Sequence, residues 1–154
     1  MPERVRPATG TYLGIDYGRK GIGVAVGQAL TRSARPIETL KTTAETHLWQ
    51  SLRRLVRDFD PDGFVVGVPL PMEDTPKDNP LIDEIAGFNQ RLSSEFGLPV
   101  HVMDETLSTR ASQSHFHELR PRRSISFRAV KDQMAAALIL ESWLLQTNPQ
   151  DLDA

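Results

Sequence analysis

The stretch Tyr12-Leu13-Gly14-Ile15-Asp16-Tyr17-Gly18-Arg19-Lys20-Gly21-Ile22-Gly23-Val24-Ala25-Val26 decides the fold. Its apolar residues fall into two short runs separated by Gly18, Arg19, Lys20 and Gly21, which predicts a β-hairpin with strands over residues 12–17 and 22–26. Side chains alternate between the faces of a strand, so Ile22, Val24 and Val26 share one face of the second strand. Gly21, Gly23, Ala25 and Gly27 share the other, a surface small enough to admit the close approach of a packed helix. By the same alternation Asp16, near the end of the first strand, shares a face with Gly14 and Tyr12, while Leu13 and Ile15 point the opposite way.

Working outward, residues 34–40 read as a third strand that Pro36 pushes toward the sheet edge. Leu48, Trp49, Leu52, Leu55, Val56 and Phe59 have helical spacing over residues 45–59, and Asp60-Pro61-Asp62-Gly63 stops that helix. Residues 64–68 are an unbroken apolar run, the sign of a strand covered on both faces. Residues 69–80 hold four prolines and four charged residues and read as a long loop, of a length often tied to function. A second helical stripe runs from Leu81 to Phe96, followed by a strand over 100–104. Ser108 can cap a helix to about His117, residues 118–126 read as a basic loop, and 128–145 as the final helix. The order βββαβαβαα implies an α/β fold: a five-stranded mixed sheet, antiparallel at its hairpin start and parallel after, with helices on both faces. The expected boundaries are a flexible tail over 1–11, one domain over 12–146 and a second flexible tail over 147–154.

The 154 residues suit a single domain with a core of its own. No apolar run reaches the roughly 18 residues of a membrane span, and the first ten residues do not read as a secretory signal. Without cysteine there is no disulfide framework and no thiolate site, and a cytoplasmic address is expected. The net charge of −2 excludes binding of nucleic acid by bulk charge. Its distribution is uneven. Between Thr106 and Lys131 six cations (Arg110, Arg120, Arg122, Arg123, Arg128 and Lys131) face Glu118 alone, a net +5 that leaves −7 on the rest of the chain. Such a stretch is either a phosphate-backbone footprint or a solvated basic loop.

Three acids stand where elements begin or end: Asp16, Glu105 beside Asp104, and Asp132 early in the last helix, on one face with Ala135, Ala136 and Ile139. Each has a structural alternative. Asp16 can start a turn, Glu105 can be solvated, and Asp132 can serve the helix dipole. Together they suit divalent metal, because Mg²⁺ and Mn²⁺ prefer oxygen ligands and give carboxylates a reason to converge. Other chemistries find less support. His115 and His117 fall on different helical faces, and no Gly-x-Ser-x-Gly elbow or Walker-type loop occurs. Trp49 and Trp143 sit on helical stripes as core residues.

At this point four ordered motifs become recognisable. Leu13 to Gly27 resembles the opening hairpin of the YqgF family, and Val66-Gly67-Val68-Pro69-Leu70 its central strand and loop. Asp104-Glu105-Thr106-Leu107-Ser108-Thr109 is similar to the family's acidic signature, and residues 131–140 to its C-terminal helix. The family has an RNase H-like fold and is associated with pre-16S rRNA cleavage and with Holliday junction resolution. The resemblance implies that Asp16, Glu105 and Asp132 are catalytic metal ligands for two Mg²⁺ or Mn²⁺ ions, in a hydrolysis that leaves a 5′-phosphate. It implies nucleic-acid partners, structured RNA or branched DNA, with Arg19, Lys20, Arg110, Arg120, Arg122, Arg123, Arg128 and Lys131 as contacts. Thr106 stands where the family usually has Arg, the loop after Pro69 is acidic rather than Asn- and Gly-rich, and Lys131 replaces a usual apolar residue.

Three functions follow for comparison. The first is a metal-dependent endonuclease, processing the 5′ end of pre-16S rRNA as a monomer or resolving Holliday junctions as a homodimer. The second is a non-catalytic nucleic-acid-binding module of the same fold. The third, an ATPase of the actin and sugar-kinase class, needs a second lobe that 154 residues do not supply.

Overall fold

The computed structural model describes residues 9–69, 80–104 and 127–147. Along the chain these form β1 (Thr11–Asp16), β2 (Gly21–Gln28), β3 (Ser33–Lys41), α1 (Glu45–Phe59), β4 (Gly63–Val68), α2 (Pro80–Phe96), β5 (Val100–Asp104) and α3 (Phe127–Gln146). The helix expected over 108–117 and the basic loop over 118–126 lie outside the described residues, as do most of the 69–80 loop and residues 1–8 and 148–154.

The five strands make one mixed sheet in the order β3-β2-β1-β4-β5. β2 runs antiparallel to β1 and to β3, whereas β4 is parallel to β1 and β5 parallel to β4. Pro36 has no N–H to donate, and it sits on the edge strand β3 opposite Ala25, where the register shifts between Val24 and Ala25. The parallel strands β1, β4 and β5 therefore end at the same edge of the sheet.

Two layers cover the sheet, one on each face. Leu13, Ile15, Ile22, Val24, Phe64 and Val66 pack with Leu48, Trp49, Leu52 and Leu55 of α1 and with Ile85, Phe88 and Leu92 of α2. On the opposite face Tyr12, Val65 and Met103 pack with Ile139, Leu140 and Leu144 of α3, and Ala25 packs with Ala136 and Ala137. Of the face expected to turn toward the sheet, Ala136 and Ile139 are buried as expected and Ala135 is half-buried; Leu140 and Leu144 complete the covered stripe.

Local chemistry explains the ends of these elements. α1 stops at Asp60, which takes the left-handed conformation (φ 47°) while its N–H donates to the Val56 carbonyl at 2.8 Å. Pro80 opens α2, where a residue without an N–H leaves no intrahelical bond unmade. Strand β1 begins at Thr11, one residue before the expected start. The Asp62 carboxylate draws the chain in there, accepting from the N–H of Thr9 (3.0 Å) and of Gly10 (2.7 Å). The Asp62 N–H in turn donates to the Thr11 carbonyl at 2.7 Å.

Candidate active site

Asp16 is the last residue of β1 and is 9% exposed. Its register partner across the hairpin is Gly23, and both lie on the face that α3 covers. The glycines of this face let α3 rest against backbone rather than side chains. A Cβ built on Gly23 would stand 1.9 Å from the carbonyl oxygen of Asp132 and 2.1 Å from its carbon. One on Gly14 would stand 2.7 Å from both the Ala136 oxygen and the Leu140 Cβ. The carboxylate of Asp132 hangs over Gly21, its Oδ2 3.4 Å from where that residue's Cβ would be. Asp132, remote in sequence, thus packs on Gly21 and Gly23 of the hairpin, and Gly23 is the cross-strand partner of Asp16.

The structure removes one alternative for each of these acids. Asp16 is a buried strand residue rather than an exposed turn starter. Asp132 lies beyond the first turn of α3, which begins at Phe127 and carries no acid, so the helix dipole does not account for it. Lys131 Nζ lies 4.0 Å from Asp132 Oδ1, with their side chains 53% and 29% exposed. Asp104 closes β5 opposite Val68, at the edge where β1 also ends. Glu105 follows it in sequence and lies outside the described residues.

Of the expected phosphate contacts, Arg19 and Lys20 are exposed in the turn directly after Asp16. The Arg19 Nε donates to Glu84 Oε2 at 3.1 Å, and the Arg19 carbonyl accepts from the Thr42 hydroxyl. Arg110, Arg120, Arg122 and Arg123 lie outside the described residues, as does the side chain of Arg128 on α3. The Arg19–Glu84 pair escaped the sequence reading, because nothing local in either segment signals a partner on another element.

The acids present hard oxygen donors, Asp16 at the end of β1 and Asp132 on the helix that packs against the hairpin, and carboxylate oxygens are a donor type that fits Mg²⁺ or Mn²⁺. Among the described residues no cluster of three potential ligands forms, and Glu105 is not among them. Both tryptophans pack as the helical stripes implied: Trp49 is buried between α1 and α2, and Trp143 packs on Tyr12 (5.1 Å between centroids) and His101 (4.7 Å). Burial lowers the His101 pKa below its ordinary 6.5.

Comparison with known proteins agrees with this geometry. A family model described as "RuvX: Holliday junction resolvase" matches residues 10–146. Proteins named "Putative pre-16S rRNA nuclease" from Methylococcus capsulatus and Azotobacter vinelandii are each 42% identical to the chain. They cover 86% and 87% of it and 87% and 92% of their own lengths. Among solved structures, RuvC of T. thermophilus bound to a Holliday junction substrate superposes with a TM-score of 0.53 at 20% identity, over 84% of this chain and 90% of that one. The fowlpox virus Holliday junction resolvase gives 0.52 at 14% identity, over 89% and 99%. At such identities the two structures establish the RNase H-like fold, and the family match with the 42% identical relatives establishes the lineage: the chain belongs to the RuvX family, also known as YqgF.

Proposed function

We propose that this chain is a metal-dependent endonuclease that hydrolyses phosphodiester bonds in structured RNA, maturing the 5′ end of pre-16S rRNA in the cytoplasm. The observation that supports the reading is that α3 packs Asp132 on Gly21 and Gly23 of the hairpin, where Gly23 is the register partner of Asp16. Neighbouring carboxylates repel one another, and the arrangement makes sense where cations neutralise them. Asp16, Asp132 and Glu105 would hold two Mg²⁺ or Mn²⁺ ions. When bound, such a pair supplies charge neutralisation at the phosphate and a lowered water pKa.

The protein's own part is placement. Seating α3 on glycines fixes the Asp132 carboxylate relative to Asp16 before substrate arrives, so no ordering is left for the moment of reaction. Lys131 tempers the negative charge at Asp132 and offers an ammonium to the incoming strand. Arg19 and Lys20, in the turn after Asp16, take neighbouring phosphates, as do Arg110, Arg120, Arg122, Arg123 and Arg128 of the basic stretch. The catalytic unit comprises residues 12–146, with 1–11 and 147–154 as tails.

The family description favours a second substrate, a four-way DNA junction. A resolvase cuts two strands symmetrically and therefore works as a two-fold dimer, whereas RNA processing asks only for a monomer. Purified protein offered a pre-16S rRNA fragment and a four-way junction, each with Mg²⁺ and with Mn²⁺, separates the two. Preferential cutting of the RNA by a monomer is expected. Paired, symmetric cuts in the junction by a dimer would replace the RNA reading with the resolvase one.

A further inference from the structure

On the face of the sheet opposite Asp132, a cavity of about 330 Å³ opens between α1, α2 and the end of β1. Its inner wall is Trp49 and Phe88, buried with ring centroids 5.5 Å apart. Tyr17, the residue after Asp16, closes one side, its ring 5.1 Å from that of Phe88. The Arg91 guanidinium lines another side, its Cζ 4.2 Å from the Trp49 ring centroid and its Nη1 bonded to Glu45 Oε1 at 2.5 Å. Glu45 and Glu84 stand at the rim, and at Gly87 an added Cβ would meet nothing within 4 Å. None of these groups has a part in the carboxylate site.

We infer that this cavity receives an unstacked guanine base of the nucleic-acid substrate, next to the phosphate held at the Asp16 edge. The inference rests on the nucleic-acid reading above and deepens it. Its volume sits at the low end of the roughly 300–1,000 Å³ of small-molecule sites, which suits one base without its sugar and phosphate. Unstacked bases are taken up on aromatic rings and arginine planes and read along their hydrogen-bonding edges, and here the half-buried Tyr17 ring and the Arg91 guanidinium offer the two surfaces. Glu45 and Glu84 are each paired with an arginine, Arg91 and Arg19, and their carboxylates keep further lone pairs for N–H donors at the mouth. Guanine answers both signs: O6 and N7 accept from an arginine, while N1–H and the N2 amine donate to a carboxylate. Glu84 also holds Arg19 at 3.1 Å, which sets a cation for the adjoining phosphate beside the cavity mouth.

The test is equilibrium binding, read by fluorescence anisotropy, of labelled short single strands that differ at one central base: guanine, inosine or adenine. Ca²⁺ replaces Mg²⁺ so that binding is measured without turnover. Wild-type protein is expected to bind the guanine strand about tenfold tighter than the adenine strand, with inosine, which lacks the N2 amine, between them. Gly87→Leu, which fills the cavity from its open side, is expected to bind all three alike. The exposed substitution Glu84→Gln is expected to narrow the guanine preference, and it serves if the leucine variant does not fold. Equal binding of the three strands by wild type, or a preference unchanged in both variants, would overturn the inference. Guanine selectivity in a protein that cuts no strand would keep the cavity's role and overturn the nuclease reading; cutting without selectivity would do the reverse.

Discussion

Replacing Gly23 by alanine adds one methyl group where the structure has no room for it. The new Cβ would stand 1.9 Å from the Asp132 carbonyl oxygen, 2.1 Å from its carbon and 2.6 Å from the Gln133 nitrogen. All three are backbone atoms, so no side-chain rotation relieves the clash. Restoring ordinary contact requires a separation of about 1.5 Å more between β2 and α3 at this point. The helix resists lifting, because Ala136, Ile139, Leu140 and Leu144 are buried against the same face. Overpacking of this kind costs about 1–3 kcal/mol. For a chain of this length that lowers Tm by about 2–4 °C per kcal/mol, or about 4–8 °C at the middle of the range. The same shift carries Asp132 away from Asp16, and a displacement near 1 Å in a reacting constellation costs about 100-fold in rate. Thermal unfolding and single-turnover cleavage measure the two effects. Gly87→Ala is the matched control: it lies on α2 with open space around its Cβ and should gain about 0.5–1 kcal/mol. A Gly23→Ala protein as stable and as fast as wild type would refute the argument that glycine seats the helix.

Other perturbations probe separate parts of the account. Because burial lowers the His101 pKa, the unfolded chain binds more protons than the folded one below about pH 7. Stability should therefore fall as pH drops through 6.5, then level off below the depressed folded value. Denaturation midpoints of His101→Gln should lack that part of the slope, and an identical slope would reject it. Asp62→Ala strips the acceptor from two backbone N–H groups and the Thr9 hydroxyl, and urea unfolding should show a loss of about 1–2 kcal/mol. A loss within error would mean that this stitch contributes nothing. Lys131→Ala should weaken nucleic-acid binding and reduce the magnitude of the salt-dependence slope by about 1, as expected for one lost phosphate contact. An unchanged slope would confine Lys131 to its ion pair with Asp132.

The sheet was legible because its sequence patterns are of the kinds that survive tertiary context. Alternation in residues 22–26, the apolar run at 64–68 and Pro36 gave the hairpin, a doubly covered strand and the edge. The small face of β2 also foretold that a helix would lie close. It did not reveal which backbone group the glycines accommodate, because that depends on where α3 lands; the answer, the Asp132 carbonyl, connects fold to site. Asp16 and Asp132 could be named from position and family resemblance, but only the three-dimensional register shows that both adjoin Gly23. The cavity walled by Tyr17, Trp49 and Arg91 was invisible for a plain reason. Its residues come from three elements, and on each helix Trp49 and Phe88 look like ordinary core. The Arg91 guanidinium over Trp49 makes the stripe on α1 something more than a packing face.

The most direct test of the central claim is Mg²⁺-dependent cleavage of a pre-16S rRNA fragment by wild type beside Asp16→Asn, with circular dichroism confirming that both are folded. Asp16→Asn keeps the shape of a buried strand residue and removes the charge of its carboxylate. The account predicts cutting that requires the metal and falls at least about 100-fold in the variant. Cleavage by folded Asp16→Asn at the wild-type rate would show that these carboxylates are not where the reaction takes place.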